Sequence, residues 1–271
     1  MTASPPPQRS KATGSRAVTH RAEVILLPAL AGLFFLGAWQ AAVSWSGTDV
    51  FPGPLAVFRG LRELAQKGLL VGYVRDSLFR VGAGYALALA VGIPLGAFLG
   101  WNAAAAVAAN PVIQLLRPIS PLAWIPVAIV LFGVGNAATI FLIFLASLFP
   151  VLVATMNGVR NISATHLAAG RNFGLSAIAL FLRVIFPGAL PNVLTGLRIA
   201  LGVAWLVVVA AEMIAVNSGL GYLVIDARNA GKRYDLVVAA MLLIGVIGLL
   251  LNVLMLRVER LRALRWGFRT E

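Results

Sequence analysis

Residues Ala164 to Glu212 read ATHLAAGRNFGLSAIALFLRVIFPGALPNVLTGLRIALGVAWLVVVAAE, and the change of character along this stretch decides the architecture. From Leu190 onward the chain is apolar over more than the ~20 residues a helix needs to cross a hydrocarbon core of roughly 30 Å. Before that point His166, Arg171, Asn172, Ser176 and Arg183 make it too polar for another crossing. Ser163 or Thr165 is placed to cap a short helix that includes Leu167, Gly174 ends it, and a second short helix runs toward Pro187. The result is a helical elbow in the aqueous phase that leads into a membrane helix. An exposed elbow with small residues at Ala168, Ala169 and Gly170 has little reason to exist unless it enters a groove on another protein.

The rest of the chain shares the apolar character. Of 271 residues 60% are hydrophobic and 11% charged, with a mean hydropathy of +0.92, above the range of soluble domains. Val24 to Val43 and Leu236 to Leu256 carry no charge, and Val81 to Leu116 and Pro118 to Val159 each exceed one crossing. Pro, Gly and Asn clusters mark the turns that divide them. The expectation is an all-α polytopic membrane protein with about six transmembrane helices, at Val24–Val43, Leu78–Gly100, Val112–Phe132, Ala137–Asn157, Leu190–Ala215 and Leu236–Leu256. Residues 1–23 read as a disordered basic tail. Residues 24–75 hold the first span and an amphipathic interfacial helix within Phe51 to Gly68. Residues 76–257 form the core, with the elbow at 160–187, and 258–271 form a second basic tail.

Pro28, Pro94, Pro126 and Pro150 fall inside spans, where neighbouring helices satisfy the carbonyls they free. Gly82, Gly84, Gly92, Gly96 and Gly100 in the second span read as a close-packing surface.

Charge sets the orientation. Arg9, Lys11, Arg16, Arg21, Arg160, Arg171, Arg183, Arg257, Arg260, Arg262, Arg265 and Arg269 lie on the side of the elbow and termini. Arg59, Arg62, Lys67, Arg75, Arg228, Lys232 and Arg233 lie on the other. The positive-inside rule therefore expects cytoplasmic termini and a cytoplasmic elbow. The formal net charge of +13 is spread over tails and loops rather than one stripe, which speaks against nucleic acid as a partner. With no cysteine and only His20 and His166, disulfides, thiol chemistry and an ordinary metal cage are excluded.

The elbow also resembles the cytoplasmic "EAA" loop of ABC-importer permeases: Glu-Ala-Ala, three residues, Gly, nine residues, then Ile-x-Leu-Pro. Ala168, Ala169 and Gly170 occupy the opening triplet, Gly174 the glycine, and Val184, Phe186 and Pro187 the closing positions. Ala168 stands where Glu is usual and Gly170 where Ala is usual, so the pattern's charged contact is missing. DSLFRVGAGY at Asp76 to Tyr85, RVIFPGALP at Arg183 to Pro191 and AEMIAVNSGLGYLVIDAR at Ala211 to Arg228 carry the likeness from about Arg75 to Arg265. It is nearest the nitrate, aliphatic-sulfonate and taurine permease group. The resemblance implies a type I ABC-importer permease fold in the bacterial inner membrane. It implies a homodimer of permeases, two ATPase subunits below and an extracytoplasmic solute-binding protein above. A sulfonate, taurine or nitrate-like anion is the expected solute. The chain has no G-x-x-x-x-G-K-[ST] cradle, and Gly231-Lys232-Arg233 is a poor imitation, so it reads as a non-catalytic subunit whose partner binds ATP.

Arg198, Trp205 and Glu212 recur every seven residues in the fifth span, near one helical stripe. Intramembrane charges usually face a bundle interior or water, so the three are candidate translocation-path residues, Arg198 as the field for an anion and Glu212 as an outer partner or gate. The bland alternative for Arg198 is snorkelling or a structural pair. Asn136, Asn157, Asn192 and Asn217 sit near expected helix ends and read as caps or turns. Trp101, Trp124 and Trp266 read as interface anchors, and His166 as an exposed side chain in the elbow. An ion-coupled secondary transporter also suits six spans and a buried Arg, but leaves the polar elbow unexplained. A membrane-embedded enzyme would need clustered catalytic groups, and the nine acids are scattered.

Overall fold

The computed structural model describes residues 13–47 and 51–259. The terminal segments 1–12 and 260–271, including Trp266 and most of the C-terminal basic tail, lie outside the described residues. Contacts divide the chain into two units, one ending at Arg59 and one starting at Gly60.

In the first unit α1 runs Thr13–Ser46. Its apolar window, Leu26–Trp45, is long enough to cross a membrane and is not buried within the chain. The helix begins inside the stretch expected to be a disordered tail. Once the span is helical, each upstream residue adds a hydrogen bond without a new nucleus. Arg16, Ala17, Arg21 and Ala22 extend it readily.

The second unit begins within α2, Pro54–Gln66. There Gly60 abuts Leu236, and Leu64 packs with Leu223, Val224 and Ala240. The second half of this amphipathic helix is thus seated on protein through Leu64, while Leu55 and Phe58 in its first half are exposed. Glu63 accepts hydrogen bonds from Arg233 at 2.6 Å and Lys67 at 2.7 Å, and Arg233 also pairs with Asp235 at 2.8 Å. These partners, Arg233 foremost, hold the Glu63 carboxyl at about 2 against an ordinary 4.5. Because the folded value lies below the unfolded one, the contribution is complete above about pH 4.5 and is lost as pH falls toward 2. Glu63→Gln is expected to flatten the acid limb of stability in that window, as read by thermal unfolding in detergent between pH 2.5 and 5.

The remaining elements are α3 (Leu69–Trp101), α4 (Ala103–Leu116), α5 (Ile125–Phe132), α6 (Asn136–Arg160), α7 (Ala164–Asn172), α8 (Ala177–Leu180), α9 (Phe186–Ala215), α10 (Leu220–Gly231) and α11 (Tyr234–Glu259). α3 starts nine residues earlier than expected. It packs on α6 through Gly84, Ala88, Gly92, Gly96 and Gly100, small residues at four-residue spacing. A Cβ on Gly84 would meet Ile143 at 2.7 Å, one on Gly92 would meet Val151 at 3.0 Å, and one on Gly100 would meet Val159 at 2.7 Å. These pairs advance together along both helices, so α3 and α6 run parallel.

A parallel pair requires the chain between them to return across the membrane. That return is α4, a 3₁₀ turn at Pro121–Trp124 and α5, bent by 83°. The single third helix expected at Val112–Phe132 is therefore corrected to a broken span. Pro118 and Pro121 remove backbone donors in adjacent turns, so one helix cannot run through. Five described helices are long and apolar enough to cross alone, and the bent pair makes six. α9 then runs antiparallel to α6, with Gly158 against Ala189 and Gly196 against Ala154. α11 runs antiparallel to α9, with Trp205 against Gly248 and Arg198 against Glu259. Charge-bearing Arg80 and Glu212 lie at the opposite end of this bundle from the elbow.

Candidate functional site: elbow, cavity and clamp

The elbow forms as its caps dictate. The Ser163 hydroxyl accepts from the His166 amide at 3.4 Å at the start of α7, and its Oγ lies 2.5 Å from His166 Nδ1. Gly174 takes φ +71°, a left-handed conformation that frees the chain to turn. The Ser176 hydroxyl accepts from the Ala179 amide at 3.3 Å and starts α8. A π-turn over Phe181–Ile185 then places Pro187 in the first turn of α9, where its missing N–H costs nothing. α8, the π-turn and α9 make one continuous apolar stretch, Ala177–Ala215. The fifth membrane helix was expected from Leu190, so sequence reasoning missed that the elbow's second helix is rigidly joined to it.

Gly170 is buried, and a Cβ there would run into Leu180. The glycine that departs from the family pattern thus leaves room for the tip of Leu180 where α7 meets α8. Ala168 and Ala169 are exposed. So are Phe173 at 86%, Ile178 at 74% and Leu182 at 60%. Large apolar side chains beside Arg171 and Arg183 are costly in water unless something covers them. Val184 and Phe186 are half-buried, Val184 packed with Leu180 and Ile185, and Pro187 is exposed.

Beside the elbow a cavity of about 630 Å³ lies between the broken span, α6 and α9. Its polar lining is Arg117, Asn157, Asn161, Asn192 and Thr195, and Trp124, Phe149 and Pro150 form part of its apolar wall. Asn157 and Asn192, read from sequence as cap or turn residues, line this space, as does Trp124, read as an interface anchor. Sequence reasoning missed Arg117 and Asn161. The available signal was an Arg-Pro pair interrupting an apolar run, which marks a break carrying a charge.

At the far end of α9, Glu212 is enclosed. Its carboxylate accepts from Arg80 at 2.6 Å, from the Ser77 hydroxyl at 2.8 Å and from the Gly221 amide at 3.0 Å. Arg80 also donates to the Ser218 carbonyl and to Asn136 Oδ1, both at 2.8 Å. The two side chains are 3% and 0% exposed. Gly219, at φ +101°, has no room for a Cβ against the Glu212 carboxylate. The network clamps α3, α6, α9 and the start of α10 to one another.

The three candidate path residues do not meet: Arg198 and Trp205 face α11, and Glu212 lies apart from them in the clamp. Arg198 lies 3.5 Å from Glu259 and shares with Trp205 a pocket of about 60 Å³ against α11. Trp205 is buried and donates to the Ile244 carbonyl at 3.0 Å. Glu212 is a member of the clamp. None of them lines the large cavity, because the α9 stripe facing α11 and α10 is not the one facing α6.

The broken span, the elbow and the small-residue bundle define a polytopic helical transport subunit. The chain belongs to the binding-protein-dependent transport system inner membrane component family, whose model matches residues 92–265, and is thus an ABC transporter permease. It is 36% identical to the bicarbonate transport system permease protein CmpB of Synechococcus elongatus, over 90% of this chain and 91% of that protein. It is 38% identical to the putative aliphatic sulfonates transport permease protein SsuC of Escherichia coli, over 86% of this chain and 88% of that one. Among solved structures, an inward-facing form of the MetNI methionine ABC transporter superposes with a TM-score of 0.63 at 19% identity. The match covers 74% of this chain and 96% of that one, and shows a shared fold.

Proposed function

We propose that this chain is the membrane half of an ATP-driven importer for a small anion. In this reading two copies form the path, and two copies of a separate ATPase grip their elbows at the cytoplasmic face. An extracytoplasmic solute-binding protein delivers solute at the clamp end, and ATP is bound and hydrolysed only by the partner. The observation that carries the reading is the elbow at Ser163–Phe186, with Phe173 just past α7, Ile178 on α8 and Leu182 in the π-turn all uncovered, and with α8 and the π-turn continuous with a membrane helix. The relatives named for bicarbonate and aliphatic sulfonates support an anionic solute, and a sulfonate-type anion is the preferred one. The count of basic residues supports cytoplasmic termini.

The mechanism follows from α9. Its 30 residues span about 45 Å at roughly 1.5 Å each, with the elbow at one end, the cavity beside its middle at Asn192 to Val203 and the clamp at the other end. Closure of the ATPases pushes α7 and α8, the push passes through the π-turn into α9, and α9 moves against the broken span as a rigid body. Access to the cavity then alternates between the two faces.

Gly174→Val tests this, since a β-branched side chain resists φ +71° and reshapes the elbow without touching the bundle. The expected outcome in proteoliposomes is a loss of solute uptake of about tenfold or more while ATP hydrolysis by the complex continues. Uptake at the wild-type rate, or cross-links placing Phe173 on the outer face, would end the coupling role.

A further inference from the structure

We propose that the cavity between the broken span, α6 and α9 is a binding site in the permease itself for an organic monoanion with an apolar tail. Arg117 holds the head group there, and the carboxamides of Asn157, Asn161 and Asn192 complete its shell. This rests on reading the chain as an anion importer's permease and adds where, and by which residues, the anion is held in transit.

Charge is the first argument. Arg117 is the charged residue among the described residues lining the cavity, and no acid lines it. Arg117 is exposed in the single chain and has no ion-pair partner among the described residues, so its charge is open to a solute in the cavity. An unpaired guanidinium facing a space walled by apolar helices attracts an anion and repels a cation.

The neutral donors come next. Thr195 spends its hydroxyl proton on the Pro191 carbonyl at 3.0 Å. The side chains of Asn157, Asn161 and Asn192 make no hydrogen bond to the described residues, and each carboxamide offers two N–H groups. An oxyanion head needs several donors around one plane or tetrahedron, and three carboxamides plus a guanidinium supply them.

The walls settle the rest of the class. Leu145, Phe149 and Val153 of α6 and Ile199 and Val203 of α9 all line the cavity. A bare inorganic oxyanion would leave these surfaces facing water, whereas a short alkyl or aryl tail covers them. The volume of about 630 Å³ lies within the usual range for organic ligands. Arg117 sits where α4 ends, and Asn192 sits on the helix fused to the elbow. Motion of α9 therefore changes the distance from Arg117 to Asn192 but not to Asn157 and Asn161 on the α6 side, so the shell is complete in one access state.

The experiment uses the complete permease–ATPase complex in nanodiscs, without solute-binding protein, and equilibrium binding of radiolabelled butanesulfonate. Saturable binding that weakens with added salt is expected. Arg117→Gln should weaken it about tenfold and Arg117→Lys only slightly, and methanesulfonate and nitrate should compete less well than butanesulfonate. Absence of saturable binding to the wild-type complex, or the same affinity in Arg117→Gln, overturns the site. Nitrate competing as well as butanesulfonate overturns the apolar-tail assignment. Failure of the anion-importer reading is separately visible, because proteoliposomes carrying the complex and its solute-binding protein would then take up no anion.

Discussion

Glu212→Ala is expected to destabilise the folded protein by about 3–5 kcal/mol, because it strands the Arg80 guanidinium in a site that is 3% exposed. The carboxylate collects bonds from Arg80, Ser77 and Gly221, and its removal leaves a buried cation and two donors without an acceptor. In detergent this should lower the thermal unfolding midpoint by about 10 °C. The Arg80→Leu, Glu212→Leu double variant should recover most of the loss, since an apolar pair leaves no charge uncompensated. Gly219→Ala should reach the same damage by another route, its Cβ taking the place of the carboxylate. An unchanged midpoint in Glu212→Ala, or a double variant worse than the single one, would refute the clamp.

Gly96→Val is expected to be nearly as damaging. A Cβ at Gly96 would lie 2.5 Å from the Leu152 carbonyl oxygen and 2.9 Å from Thr155 Cβ. Backbone on the facing helix cannot swing aside as a side-chain tip does, so α3 and α6 must separate along their length. Overpacking of this kind costs about 3 kcal/mol, and in a membrane the close approach is itself the main source of helix association. The control lies on the same helix. A Cβ on Gly82 would have nothing within 4 Å of it among the described residues, so Gly82→Val should express and unfold like the parent. Yield after size-exclusion chromatography and the unfolding midpoint read both, and equal behaviour of the two variants would show that the stripe is not what holds the helices together.

The elbow was legible in the chain because its signals are local. Ser163 as cap, Gly174 as the left-handed stop and Pro187 at the helix start each act over a few residues, and each is found in that role. Gly84, Gly92, Gly96 and Gly100 were legible as packing residues because a missing side chain suits a close helix contact, but Gly82, read the same way, faces nothing within 4 Å among the described residues. For the candidate path residues the shared stripe was legible but its surroundings were not, because seven-residue spacing puts side chains on one stripe without saying what faces it. Arg198, Trp205 and Glu212 share a stripe and meet Glu259, the Ile244 carbonyl and Arg80. Asn157 and Asn192 erred in the other direction: being near helix ends suggested caps, while their positions on facing helices put them into the cavity.

By itself the sequence determined that the chain is membrane-embedded, roughly where it crosses and where it turns back, and that an elbow lies between the fourth and fifth crossings. Those properties follow from hydropathy and short-range capping chemistry, which are additive along the chain. Only the tertiary structure decided that the third crossing is broken, that Arg80 reaches Glu212 across 132 residues, and that Arg117 and three asparagines border one cavity. Each of those depends on which helix packs beside which and in what register, and residues far apart in the chain carry no local trace of the partner that folding will bring to them.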